Sequence, residues 1–132
     1  MKTFLRSFFL FLSVVLMIAC DDNGPSTHSS IVGTWRCEEY TPSGTRSYLV
    51  DIDRHVRDTT QYVVSNFHNT GDVEFVILKL KSNKLSLAEN STSNITVSAL
   101  SGTVIDLTQI NINYKIYDGR TNTAVEAVYS RN

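Results

Sequence analysis

From Ile31 onward the apolar side chains recur at every second position, the spacing that turns one face of a β-strand to a core and the other to water. Ile31, Gly33, Trp35 and Cys37 share one face, and Thr34, Arg36 and Glu38 the other. Tyr48, Val50 and Ile52 alternate with Leu49, Asp51 and Asp53, and Tyr62 and Val64 with Val63 and Ser65. Val73 to Leu80 (VEFVILKL) is apolar at both parities, which implies a strand covered on both sides or one that changes face at a bulge. Leu85 and Leu87 define a short strand after the Ser82-Asn83 turn, Ile95, Val97 and Ala99 another, and Gly102 to Ile105 a third. In Ile110 to Ile116 four apolar side chains point in and three polar ones out. Asp118-Gly119 follows as a two-residue hairpin turn, and Thr123 to Arg131 returns as the last strand. No helix-length window repeats at three or four. Eight or nine short strands without a helical crossover predict an all-β antiparallel meander closed as a barrel, with a β-sandwich as the alternative.

The first thirty residues follow another pattern. Lys2 and Arg6 precede the apolar run Phe8 to Ala19, too short for the roughly 20 residues of a membrane span, so residues 1–19 read as an export signal. The run ends Leu16-Met17-Ile18-Ala19-Cys20, which resembles a bacterial lipobox, and that resemblance implies lipidation of Cys20. Acyl chains such as palmitate contribute about 0.8 kcal/mol per buried methylene and would hold the protein on a membrane. Asp21 and Asp22 resemble the surface-export signal of Bacteroidota-type lipoproteins; in other Gram-negative lineages an Asp there marks retention at the inner membrane. Residues 20–30 (CDDNGPSTHSS) thus read as the lipidated Cys and a flexible tether, His28 included, and residues 31–132 as the folding unit. The expected location is the cell envelope, on the periplasmic or external face of the outer membrane.

Gly33-Thr34-Trp35 resembles the G-x-W opening of lipocalins and related calycins, in which the Trp closes one barrel end. The run from Tyr62-Val63-Val64-Ser65-Asn66-Phe67 through Gly102-Thr103-Val104 to Tyr114, Asp118-Gly119 and Tyr129 is similar to the small lipocalin-like lipoproteins of Bacteroidota. The resemblance implies a barrel that takes a small apolar ligand. The inward set, Trp35, Tyr48, Tyr62, Phe75 and Tyr114, holds enough rings to fill so short a barrel. A cavity is left for the end away from Trp35, where Ala99, Gly102 and Ala127 are small. Trp35, Tyr48, Tyr62 and Tyr114 are the candidate ligand contacts.

The 132 residues, with 12 Lys and Arg against 13 Asp and Glu, make one domain without the basic footprint of a nucleic-acid binder. Two cysteines make no disulfide scaffold, and Cys37 reads as an inert core thiol. Asp51-x-Asp53-x-His55 is the one metal-like pattern, but same-face side chains roughly 6.5–7 Å apart are too far for a single ion, so the three read as a solvated face and no metal is expected. Asp72 and Glu74 read as outward charges, and His68 as a solvated loop residue that could bind or catalyse. Asp58-Thr59-Thr60 resembles a short O-glycosylation acceptor of Bacteroidota. There is no H-E-x-x-H, G-x-S-x-G or phosphate loop, and no cofactor is expected. The expectation is a membrane-anchored, non-catalytic binding lipoprotein. The alternatives are a filled barrel docking onto another envelope protein and an enzyme built on the Asp51, Asp53, His55 face.

Overall fold

The computed structural model describes residues 30–132. The export segment 1–19, the lipidation of Cys20 and the tether up to residue 29 lie outside the described residues. Eight strands run in chain order: β1 (Gly33–Thr41), β2 (Gly44–Arg54), β3 (Gln61–Ser65), β4 (Phe75–Lys81), β5 (Lys84–Ser91), β6 (Thr96–Val104), β7 (Gln109–Tyr117) and β8 (Asn122–Ser130). Each pairs antiparallel with the next, and β8 returns to β1 from Arg36↔Ser130 to Tyr40↔Glu126, closing an eight-stranded antiparallel barrel. Among the described residues, closure leaves no edge strand to template association.

Alternation sets the register. Trp35 lies opposite Val50, Cys37 between Tyr48 and Tyr129, and Ile112 opposite Ala127, so the interior is lined by one parity of β1, β2, β7 and β8. Trp35, Tyr129, Phe67, Ile52, Leu78, Ile110 and Ile112 are fully buried, and side chains fill the centre. At Gly102 an added Cβ would stand 3.1 Å from Leu85 Cβ and 3.2 Å from the Asn111 carbonyl, so β5 and β7 pack tightly against this glycine.

Four expectations need correction. The strands expected over 95–99 and 102–105 are one strand, β6, with a bulge between Ser98 and Ser101. The extra residue flips the parity, so Leu100 points in while Ala99, in the left-handed region at φ 49°, is exposed. Phe75 faces outward and half-buried, because Val76 and Leu78 pair with the inward residues Val64 and Tyr62. In the β7–β8 hairpin the turn spans Asp118 to Thr121, with Gly119 at φ 90°; the Asp118 carboxylate accepts from the Arg120 and Thr121 amides and makes a longer loop more favourable than a two-residue one.

Candidate functional site

The barrel's two ends differ. At one, Trp35 donates its indole N–H to the Ile31 carbonyl at 2.8 Å, and the Arg131 guanidinium stacks 4.1 Å from its ring. Arg131 also donates to the carbonyls of Ser30, Val32 and Leu107 at 2.5, 2.7 and 2.7 Å. This end is shut.

At the other end the inward face of β1 continues from Trp35 and Cys37 to Glu39, a carboxylate with no exposure. Its cross-strand partner on β2 is Arg46, whose Nε donates to Oε2 at 2.6 Å. The hydroxyls of Tyr48, on β2, and Tyr114, on β7, both donate to Oε1. The fourth contact comes from the β3–β4 loop, whose 3-10 turn (Phe67–Asn69) drops into the mouth. Phe67 is fully buried against Tyr114, ring centroids 4.8 Å apart. His68 Nδ1 lies 3.1 Å from Glu39 Oε1 and 2.9 Å from the Tyr114 hydroxyl, so an Nδ1–H reaches both.

The loop folds this way because Asn66 brackets it. Its Nδ2 donates to the Leu49 carbonyl at 2.7 Å, its Oδ1 accepts from the Gly71 amide at 2.9 Å, and Arg46 donates to the His68 carbonyl at 2.9 Å. Asn66, His68 and Asn69 all adopt the left-handed conformation, uncommon outside glycine and easiest for Asn. Against expectation, His68 is therefore nearly buried, with 11% of its side chain exposed. Glu74 is also buried rather than outward, its Oε1 accepting from the Ser93 amide and hydroxyl, so it ties the β3–β4 loop to the β5–β6 loop; Asp72 is exposed.

Burial opposes ionisation of Glu39, but donors from His68, Tyr114 and Tyr48 outweigh it and bring its pKa down from 4.5 to about 2. Burial pushes the Tyr48 and Tyr114 hydroxyls well above their ordinary value, with the Glu39 charge adding to it. It pushes the Cys37 thiol up to about 12. At neutral pH the cluster is one fixed carboxylate, one fixed guanidinium and two neutral phenols. Above it lies an open cleft of about 330 Å³ whose walls include Arg46, His68, Ile116 and Thr123.

Of the candidate contacts, Tyr48 and Tyr114 join this cluster, whereas Trp35 is the plug of the far end and Tyr62 is buried opposite Leu78 without a part in it. Asp51 and Asp53 are exposed on the outer face, Asp51 accepting from the Thr34 hydroxyl at 2.5 Å, and His55 Nδ1 accepts from the Arg57 amide at 3.3 Å. Among the described residues no three His, Cys, Asp or Glu side chains are grouped to hold a metal. Glu39 and Arg46 escaped the sequence reading, although parity marks both: Glu39 continues the Trp35, Cys37 face, and Arg46 the Tyr48, Val50 face.

No protein-family model matches the chain, and no curated protein matches it. Among solved structures it is similar to "EF1p2_mFAP2b bound to DFHBI", at 14% identity over 77% of this chain and 94% of that one, with a TM-score of 0.55. It is also similar to "a redesigned beta barrel, b11L5F_LGL", at 15% identity over 77% and 91%, with a TM-score of 0.49. The first likeness shows a shared barrel fold.

Proposed function

We infer that this chain is a non-catalytic binding protein of the cell envelope, anchored by lipid at Cys20, that takes a small ligand at the mouth of its barrel. The observation that carries the reading is the fully buried Glu39 carboxylate, held by Arg46, Tyr48, His68 and Tyr114 directly beneath an open cleft. Apolar residues of similar volume would hold the barrel closed as well or better, so stability gives no reason to keep a buried charge there. Convergent polar groups at the base of a concavity suit recognition. Catalysis is disfavoured by the same electrostatics: a carboxylate with a pKa of about 2 is a poor general base at neutral pH, and buried neutral phenols are poor acids. A protein of similar fold has been solved with DFHBI bound, which supports a barrel of this kind as a small-molecule receptor.

Native mass spectrometry of the full chain extracted gently from its own membranes tests this. The expected result is a retained small molecule whose occupancy falls at least tenfold in Arg46→Ala. A second reading is favoured by the full burial of Phe67 in the mouth and of Trp35 and Tyr129 inside: a filled barrel that docks onto another envelope protein. It predicts an empty spectrum with crosslinks to one protein partner.

A further inference from the structure

We propose that the rim of the Trp35-closed end is a membrane-facing surface that lies on anionic lipid headgroups and turns the mouth away from the bilayer. This rests on the lipid attachment of Cys20 inferred above. The chain joins the barrel at this rim: Arg131 holds the carbonyls of Ser30 and Val32 and, with the same side chain, that of Leu107 in the β6–β7 loop. Nine residues lie between Cys20 and Ser30. A random-coil chain of that length covers roughly 17 Å on average. Nine-residue strands such as β1 are about 30 Å long before tilt, so a linker of that length favours the rim it joins over the far mouth.

The rim is also chemically suited to a bilayer. Its β2–β3 and β6–β7 loops carry Val56, 94% exposed, and Ile105, 53% exposed, apolar side chains open to solvent. Exposed Arg54, Arg57, Lys81 and Lys84 stand on the same rim, on β2, the β2–β3 loop and either side of the β4–β5 turn. Asp53 is exposed there too. The loop acids Asp58, accepting from Thr60, and Asp106, accepting from Thr108 and Gln109, keep their charge, so with Asp53 these three carboxylates face the four cations named. The mouth is the poorer match: its most exposed apolar tip, Val73, follows the exposed acid Asp72, which anionic headgroups repel. Clustered cations around apolar tips are the surface such headgroups attract.

The test uses the full-length chain in vesicles of phosphatidylethanolamine and phosphatidylglycerol, with the acyl groups on Cys20 established by intact mass. An environment-sensitive fluorophore is placed at Val56→Cys or, in a second sample, at Val73→Cys, and nitroxide-labelled lipid serves as quencher. Quenching at position 56 is expected to exceed that at 73 at least threefold, and to fall at least twofold with Lys81→Glu and Lys84→Glu together. Equal quenching at the two positions, or more at 73, overturns the orientation while leaving the anchor intact. An unacylated Cys20 overturns both, and the mass alone distinguishes that failure.

Discussion

Replacing Glu39 by Gln removes a charge while preserving shape, and the four contacts of the carboxylate set the cost. Oε1 accepts from Tyr48, Tyr114 and His68, and Oε2 from Arg46. An amide offers one acceptor: with its oxygen toward the phenols its NH2 meets the Arg46 Nε–H, donor against donor, and the opposite rotamer strands the hydroxyls. The preference of the site for the anion comes from the separation between the ordinary value of 4.5 and the folded value of about 2. At 1.36 kcal/mol per pH unit that is about 3 kcal/mol. Because the Arg46 side chain is 42% exposed it regains water in the variant, which keeps the cost at the low end of the ~3–5 kcal/mol for breaking a buried pair. At ~4–8 °C per kcal/mol for a domain near 100 residues, Tm should drop by about 12–24 °C at pH 7. The folded pKa is the lower one, so this stability is present above about 4.5 and is lost as pH falls toward 2. Thermal melts by circular dichroism at pH 7 and pH 2 therefore should show a wide gap between wild type and Glu39→Gln that nearly closes in acid. A gap under 3 °C at pH 7, or one of equal size at both pH values, refutes the reasoning.

Arg131→Ala removes three carbonyl contacts and the cation over Trp35, and should cost about 2–3 kcal/mol by urea denaturation, with Arg131→Lys recovering less than half because an ammonium cannot span the same acceptors. Cys37, fully buried with its thiol pushed up to about 12, should resist a disulfide reagent at pH 8 in the full-length Cys20→Ser chain until the protein unfolds; labelling faster than unfolding contradicts its placement. As the folded value lies above the ordinary 9.0, Cys37 should lower stability as pH rises past 9.

The fold was legible because a half-buried strand writes its burial into alternate residues, and β1, β7 and β8 do so along their length and β2 from Tyr48 to Asp53. Errors fell where that code is silent. In Val73–Leu80 both parities are apolar, and Ile77 is buried on the outer side, so nothing in the string marks Val76 rather than Phe75 as inward. In β6 the bulge after Ser98 exchanges the two parities mid-strand, and Ala99 and Leu100 are both apolar. A bulge is a property of the pairing with β7, and one strand's residues do not contain it.

The site was half legible for a different reason. Tyr48 and Tyr114 entered as apolar rings, yet their contribution is the hydroxyl, whose acceptor comes from a strand distant in sequence from Tyr114. The inward parity of Glu39 could have flagged that acceptor, since a charged residue on a core face needs a partner, and Arg46 lies directly across the hairpin. His68 could not be placed: its approach depends on three left-handed residues and on Asn66 reaching to Leu49. That division has a mechanical consequence. Arg46, Tyr48 and Tyr114 are fixed by closed strands and hold the carboxylate at the same atoms whatever the loop does. His68 and Phe67 ride on a segment whose conformation costs free energy at each left-handed non-glycine residue. On the proposed reading, a ligand that competed for Glu39 from the cleft would displace the loop before it disturbed a strand, and the Trp35 end would stay shut.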